Sequence, residues 1–135
     1  PCDALVDCED GAFLAPESMS AAVREQAGEL TDGQLLHCIY QSLAHCYKNA
    51  LAAMGMRLGK RFATLNIIGG GSQDSFLDEL TAKAAGVTVL AGPKEATAIG
   101  NLLVQMIAAG EVKDVAEGRE LVKRSFGVRT YESKN

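Results

Sequence analysis

The residues best suited to bind a ligand lie in one segment, Asn66-Ile67-Ile68-Gly69-Gly70-Gly71-Ser72-Gln73-Asp74. Three consecutive glycines, here named the glycine turn (Gly69–Gly71), let the backbone come against a ligand because no side chain intervenes. The turn follows a β-branched apolar run and precedes a helical pattern, and free N–H groups at a helix start favour an anion or a polar group. The pattern favours a nucleotide, although a sharp turn without a ligand is an equally good interpretation of these residues alone.

Two other nucleotide-binding motifs fit the chain poorly. The dinucleotide fingerprint needs a third glycine after Gly69 and Gly71, and an acidic residue closing the second strand, which here ends Leu90-Ala91. The segment Gly55-Met56-Arg57-Leu58-Gly59-Lys60-Arg61 has too few residues between its glycines for a P-loop, and arginine replaces the magnesium-binding hydroxyl. We expect that segment to be a loop that ends a helix.

The other side chains with chemical potential have structural interpretations. No CxxC pair and no familiar zinc spacing is formed by the four cysteines, Cys2, Cys8, Cys38 and Cys46. Cys38 and His45 share a helix face, where helix packing is the favoured interpretation and metal binding the alternative. Glu95 is interpreted as a capping residue that the dipole of a following helix favours, and not as a catalytic carboxylate. No residue is therefore assigned as catalytic or as a metal ligand.

The composition argues against some classes of function. The chain has 135 residues, of which 47% are hydrophobic, and a formal net charge of -4. Binding to a polynucleotide needs a basic stripe, so nucleic acid is not expected as a partner. No apolar run reaches the roughly 18 residues of a membrane span and no secretion signal is present, so we expect a soluble, cytoplasmic protein. The chain begins at Pro1 and its first methionine is Met19, which leads us to expect a fragment.

Capping signals and apolar periodicity predict the order of elements along the chain. Four helices are expected, namely one from a cap at Ser18 or Ser20 to about Leu30, one from the capping box Thr31–Gln34 to Gly55–Gly59, one from about Phe76 to Ala85, and one from about Val115 to Ser125. A further helix is expected to begin at Gly92-Pro93-Lys94-Glu95. The expected strands are Thr64–Ile68, Val87–Leu90 and a possible short one at Val128–Tyr131.

The order strand, glycine turn, helix, strand is that of a βαβ unit. It predicts an α/β fold that is rich in helix and has a short parallel sheet. The two longer strands make a thin sheet with an exposed edge, so part of the sheet is expected to be missing and self-association is expected.

Several segments resemble the FGGY family of carbohydrate kinases, and together they cover most of the chain in the order that the family shows. The resembling segments are Asp3–Asp7, Ala12–Met19, Cys38–Ala44, Ile68–Gln73, Leu80–Ala82 and Ala91–Asn101. The Phe13–Met19 part points to one member of the family, whereas the Ile68–Gln73 and Ala91–Asn101 segments are shared more widely.

The resemblance implies a fold and an activity. It implies part of an actin-like, ribonuclease-H-like ATPase domain, in which residues 1–135 form the C-terminal portion of the second, nucleotide-binding domain and the N-terminal sugar-binding domain is missing. It also implies transfer of the γ-phosphate of ATP, with Mg²⁺, to a ketose sugar, L-rhamnulose. A noncatalytic nucleotide-binding or assembly module of the same fold is the alternative, as is a kinase of the same family acting on another sugar.

The resemblance also assigns the candidate site. It implies that the adenosine side of the ATP site is lined by Gly69, Gly70, Gly71, Ser72, Gln73 and Asp74. The members that this chain resembles usually carry asparagine at the position of Asp74, and an ionised aspartate accepts hydrogen bonds but donates none. No residue matches the aspartate that serves the family as catalytic base, so the isolated chain is expected to be inactive or nearly so.

Overall fold

The structure is a computed structural model, and it describes residues 2–133. Within that range, the α-helices are α1 (Met19–Ala27), α2 (Asp32–Leu58), α3 (Ser75–Ala85), α4 (Ala96–Ala108) and α5 (Val115–Ser125). The strands are β1 (Thr64–Ile67), β2 (Thr88–Ala91) and β3 (Arg129–Tyr131). Two short 3-10 turns lie at Gly11–Phe13 and Gly70–Gln73. The predicted α/β class, rich in helix, is confirmed.

The starts of the first two helices and the end of α2 follow the predicted caps, whereas α1 ends at Ala27 and not at about Leu30. The Ser18 hydroxyl accepts a hydrogen bond from the backbone N–H of Ala21, and Gly28 ends α1 with a φ of 86°. The capping box is complete, since Thr31 accepts from the N–H of Gln34 and the Gln34 side chain accepts from the N–H of Thr31. Gly59 closes α2 in the left-handed conformation, as glycine does at many helix ends.

An extended segment at residues 2–10 packs along α2. Cys2 is buried in a cluster with Val23 of α1 and with Leu35 and Cys38 of α2. The backbone N–H of Val6 donates to the Ser42 hydroxyl at 2.9 Å. These contacts join the segment to the two helices as one small core.

The three strands form a mixed sheet in the order β1-β2-β3. β1 and β2 are parallel, with Thr64 opposite Thr88 and Ile67 opposite Ala91, so the predicted βαβ unit is confirmed. β3 pairs with β2 in the antiparallel direction, so the short sheet is parallel between β1 and β2 and mixed as a whole. The reason is that the link from α5 is short and enters the sheet beside the carboxyl end of β2, where Ala91 lies opposite Arg129.

Helix α3 covers one face of this sheet. Ala82 of α3 is buried with Val89 and Ala91 of β2, and the partly buried side chains that surround them are Leu65, Ile67 and Tyr131. Helix α2 packs on the outer side of α3. The glycine turn is therefore connected to a layered body by β1 on one side and α3 on the other.

Helices α4 and α5 form a looser second layer. Helix α4 begins at Ala96 and not at Gly92, because the N–H of Gly92 and the carbonyl of Pro93 are hydrogen bonded to the residues at the end of β1. Among the described residues, none of α4 is buried. The two helices approach closely at α5, where a Cβ on the buried Gly118 would lie 3.3 Å from Leu103 Cδ2 of α4.

None of the helices within residues 2–133 combines the length and the apolar character that crossing a membrane would require.

Alanine substitutions at two glycines of α2 are expected to change the free energy of unfolding in opposite directions. A Cβ at Gly33 meets no atom within 4 Å, whereas a Cβ at Gly55 would lie 2.8 Å from the carbonyl oxygen of Lys60. Alanine raises helix propensity at both positions. We expect Gly33→Ala to raise the free energy of unfolding by about 0.5 kcal/mol and Gly55→Ala to lower it by about 1 kcal/mol or more.

Urea denaturation followed by circular dichroism measures both variants. A stabilising effect of Gly55→Ala would contradict the tight turn that ends α2.

Candidate functional site

The glycine turn lies at the carboxyl ends of the two parallel strands. β1 ends at Ile67 and β2 at Ala91, and each strand is followed by a glycine with positive φ, 74° at Gly69 and 119° at Gly92. The N–H of Gly92 donates to the Ile67 carbonyl at 2.8 Å, and the N–H of Gly69 donates to the Pro93 carbonyl at 3.3 Å. Ligands of parallel sheets bind at this kind of edge, just beyond the carboxyl ends of neighbouring strands.

Ser72 holds the turn from its inner side. Its side chain is fully buried, its hydroxyl donates to the Gly69 carbonyl at 2.7 Å, and its N–H donates to the same carbonyl at 3.2 Å. A buried hydroxyl bonded to the backbone in this way has a structural role. Ser72 therefore supports the turn and does not face a ligand from the inside.

The outer side of the turn is open. Gly70, Gly71 and Gln73 are exposed, and a Cβ built on Gly69 or Gly70 would meet no atom within 4 Å. In the part of the chain that the structure describes, the N–H groups of Gly70 and Gly71 donate to no protein acceptor. Free donors on an open, side-chain-free surface fit a polar ligand such as the adenosine part of a nucleotide.

Asp74 has its carboxylate turned toward the helices. Oδ1 accepts from the N–H groups of Phe76 and Leu77, both at 3.2 Å, so Asp74 is the N-cap of α3. Oδ2 accepts from the hydroxyl of Tyr40 in α2 at 2.5 Å. The Tyr40 hydrogen bond, followed by the Leu77 amide, lowers the pKa of Asp74, and the same bond raises the pKa of Tyr40.

The cap changes the electrostatics that were expected from the sequence. The N–H groups at the start of α3 were expected to attract an anion, but two of them are bonded to the negative charge of Asp74. A carboxylate repels phosphate, so the start of α3 is not a favourable place for an anion. The polar groups that remain open to a ligand are those of the glycine turn.

Two aromatic residues near the turn were not recognised as site residues in the sequence. Tyr40 and Phe76 pack edge to face with their ring centroids 5.3 Å apart, and Phe76 is 47% exposed beside the turn. Both lie in segments that the sequence predicts to be helices. The signal that could have identified Tyr40 is its hydroxyl, since a tyrosine at a helix interface needs a polar partner.

A charged residue from the last strand also reaches the turn. The Arg129 guanidinium donates to the carbonyl of Ser72, which lies 57 residues earlier in the chain. No local pattern in the sequence indicates this contact. It links β3 directly to the glycine turn.

The remaining candidates lie away from this edge or lack the predicted contact. Gly55–Arg61 forms the end of α2, as predicted, and does not precede a helix as a P-loop would. Cys38 is buried in the helix core, and no group of three metal-ligating side chains is found within residues 2–133. Glu95 occupies the N-cap position of α4, as expected, but its side chain makes no capping hydrogen bond.

The chain matches the C-terminal domain of the FGGY family of carbohydrate kinases over residues 5–109. That range contains β1, the glycine turn, α3, β2 and α4.

The chain belongs to the FGGY family of carbohydrate kinases.

Similar curated proteins are rhamnulokinases. The chain is 39% identical to the rhamnulokinase of Bacteroides thetaiotaomicron, with 97% of the chain and 28% of that protein covered. It is 40% identical to the rhamnulokinase of Bacillus subtilis, with 100% of the chain and 29% of that protein covered. It is also 40% identical to the rhamnulokinase of Enterococcus faecalis, covering 96% of the chain and 28% of that protein. The chain thus spans little more than a quarter of the length of these FGGY kinases.

The N-cap can be tested by comparing two substitutions at Asp74. Asp74→Ala removes the acceptor of the α3 amides, and we expect it to lower the free energy of unfolding by about 1 kcal/mol at neutral pH. Asp74→Asn keeps an acceptor without the charge, so its cost should be smaller. Urea denaturation measures both, and Ser75→Ala, at the exposed first residue of α3, is the control.

The same variants test the charge of Asp74 through pH. A carboxyl whose pKa is lower in the folded state stabilises the fold above its unfolded-state pKa of about 4, and that contribution is lost as pH falls through the folded-state value. The difference in unfolding free energy between wild type and Asp74→Asn should therefore shrink below about pH 4. A difference that stays constant through this range would contradict an ionised cap.

Proposed function

We propose that the chain is the nucleotide-binding part of an ATP-dependent sugar kinase. The observation that carries the proposal is the glycine turn, which is open on its outer side and lies at the carboxyl ends of two parallel strands. The family of the chain supports the same function, since it consists of carbohydrate kinases.

The substrate that the relatives favour is L-rhamnulose. The curated proteins that match the chain at about 40% identity are named rhamnulokinases, and the proposal is that the protein containing this chain phosphorylates L-rhamnulose in the cytoplasm. When bound, ATP with Mg²⁺ supplies the phosphoryl group and neutralises charge on the transferring phosphate. Mg²⁺ is commonly held by phosphates with one or two carboxylates, so a cage of metal ligands in this chain is not needed.

The six residues of the candidate site have different proposed roles. Gly69, Gly70 and Gly71 lie against the adenosine, and the free N–H groups of Gly70 and Gly71 donate to it. Gln73 is exposed, and its amide can both donate and accept. Ser72 and Asp74 have supporting roles: the Ser72 hydroxyl holds the turn, and the Asp74 carboxylate caps the start of α3.

The chemical step depends on residues outside this chain. Phosphoryl transfer needs a group that orients the sugar hydroxyl and takes its proton, together with charge stabilisation around the phosphate. The family's catalytic base matches no residue here, and the sugar-binding domain is proposed to be a separate part of the polypeptide. The 135 residues by themselves are therefore proposed to bind nucleotide without turning over sugar.

The kinase activity is tested on the longer polypeptide that contains this chain. A coupled assay of ADP release with ATP, Mg²⁺ and L-rhamnulose should show turnover that depends on the sugar. The reaction without sugar is the control, and L-rhamnulose replaced by other ketoses tests the specificity. Absence of sugar-dependent turnover with L-rhamnulose would remove this substrate from the proposal.

The binding site is tested by a substitution that fills the open side of the turn. Gly70 does not have a positive φ and has free space at its Cβ, so Gly70→Leu should leave the free energy of unfolding within about 0.5 kcal/mol of wild type. The leucine would occupy the space proposed for adenosine, so the affinity for Mg·ATP measured by calorimetry should fall about tenfold or more. Gly33→Ala is the control, because Gly33 lies in α2. Unchanged affinity in Gly70→Leu would place any nucleotide elsewhere.

Self-association of the chain is also proposed, because apolar side chains and strand edges are exposed. Helix α4 exposes Leu102 and Val104, which are 55% and 66% accessible, and β1 and β3 are the edge strands of a small sheet. Apolar side chains and strand edges of this kind favour association. Sedimentation velocity should show oligomers of the chain that diminish in the double variant Leu102→Ser/Val104→Ser, and a monodisperse wild-type monomer would contradict the proposal.

A further inference from the structure

Two cysteines from different parts of the chain line one cavity. Cys8 reaches the cavity from the extended segment at residues 2–10, and Cys46 reaches it from α2. Both are free thiols that are partly accessible to solvent, whereas Cys2 and Cys38 are free thiols that are buried. The cavity thus presents one accessible thiol from the segment and one from the helix.

Two hydrogen bonds fix the direction in which the segment runs along α2. The N–H of Cys2 donates to Nδ1 of His37 at 3.4 Å, and the N–H of Val6 donates to the Ser42 hydroxyl at 2.9 Å. Since His37 precedes Ser42 in the helix, the segment runs toward the C-terminal end of α2. The residues that follow Val6 are therefore carried toward the helix turn that follows Ser42.

The two cysteines are displaced from this contact by matching lengths. Cys46 lies one turn after Ser42, an advance of about 6 Å along the helix, and Cys8 lies two residues after Val6, an advance of at most about 7 Å. The 2.9 Å hydrogen bond sets the Cα atoms of Val6 and Ser42 no more than about 7 Å apart. Cys8 and Cys46 are expected at a similar separation, and disulfides bridge Cα atoms that are about 4.4 to 6.8 Å apart.

The ionisation of Cys8 agrees with this placement and affects how the thiol would react. Burial raises the pKa of Cys8 most, and the charge of the Cys46 thiolate raises it next. The thiolate is the reactive form of cysteine, so oxidation of Cys8 should accelerate as pH rises. The other ionisable groups that line the cavity are Asp7 and Glu9 on the segment and His45 on α2.

We propose that Cys8 and Cys46 form a redox-modification site, at which a peroxide converts the two thiols into an internal disulfide that joins the extended segment to α2. In the first step one thiolate attacks the peroxide, so that an S–O bond forms, the O–O bond breaks and water leaves after protonation. The second thiol then attacks the sulfenic sulfur, so that the S–S bond forms, the S–O bond breaks and a second water leaves. The two thiols lose two electrons and two protons, and hydrogen peroxide is reduced to water. The site is independent of the function proposed above for the glycine turn.

Peroxide treatment followed by peptide mapping tests the proposal. After treatment with one equivalent of hydrogen peroxide and alkylation in urea, mass spectrometry should find the Cys8 peptide linked to the Cys46 peptide within one chain. Cys2 and Cys38 should still be alkylated, because burial shields them from the oxidant. A link between Cys2 and Cys38, or separate sulfinic acids at Cys8 and Cys46 without a link, would overturn the proposal.

Serine variants and a displaced thiol are the matched controls. Cys8→Ser and Cys46→Ser should each form no internal link, and circular dichroism checks that both fold. The variant Cys46→Ser/Ala50→Cys moves the thiol one further turn along the same cavity. Its link to Cys8 should form at least about tenfold more slowly than in wild type, because the Cα atoms are then too far apart for a disulfide. Equal rates would show that the segment does not hold Cys8 beside Cys46.

Urea denaturation gives an independent measurement on the same samples. A disulfide restricts the unfolded chain, so peroxide-treated wild type should unfold at a higher urea concentration than the reduced protein, and dithiothreitol should reverse the shift. The same treatment of Cys46→Ser should leave its midpoint unchanged. A lower midpoint in wild type that carries the disulfide would mean that the bond distorts the fold, which contradicts thiols already positioned to form it.

Discussion

The carboxylate of Asp74 joins the start of α3 to α2 by hydrogen bonds. One oxygen accepts two amides at the start of α3, and the other accepts the Tyr40 hydroxyl from α2. Because α3 follows the glycine turn directly and α2 lies on its outer side, this one carboxylate sets where the turn ends and how the two helices meet. The other end of the turn is fixed at the sheet, because the N–H of Gly92 donates to the Ile67 carbonyl and the N–H of Gly69 donates to the Pro93 carbonyl. The turn is therefore held at both ends, and only its outer surface is open.

Local signals in the sequence predicted most of the framework. The capping box at Thr31, the glycine that ends α2 at Gly59 and the span of α5 are as expected, because these features depend on residues a few positions apart. The predictions failed where distant segments decide the outcome. Helix α4 begins at Ala96, later than predicted, because Gly92 and Pro93 are hydrogen bonded to residues at the end of β1. Strand β3 is antiparallel to β2 because the short link from α5 enters the sheet beside the carboxyl end of β2.

The position of the glycine turn between a strand and a helix was predicted, but the contacts that support the turn were not. The glycines and their place between a strand and a helix are visible in the sequence, since periodicity and glycine clustering are local. The contacts of Tyr40 with Asp74 and of Arg129 with Ser72 span 34 and 57 residues. No local pattern can indicate such pairs, and a family resemblance names only the residues of its own motif. The family match over residues 5–109 includes the turn, while the proposed roles of the individual side chains depend on the geometry.

The hydrogen bonds of the Ser42 hydroxyl determine what detachment of the extended segment at residues 2–10 would cost. This hydroxyl donates to the Cys38 carbonyl at 2.7 Å while it accepts the N–H of Val6 at 2.9 Å. If the segment detached, Ser42 would keep its own bond within α2, and the exposed N–H of Val6 would be hydrated by water. Detachment would then leave no unsatisfied group behind in the helix, and its free-energy cost would come mainly from exposing Cys2 and its apolar neighbours. The segment at residues 2–10 could therefore detach from the two helices without any unwinding of α2.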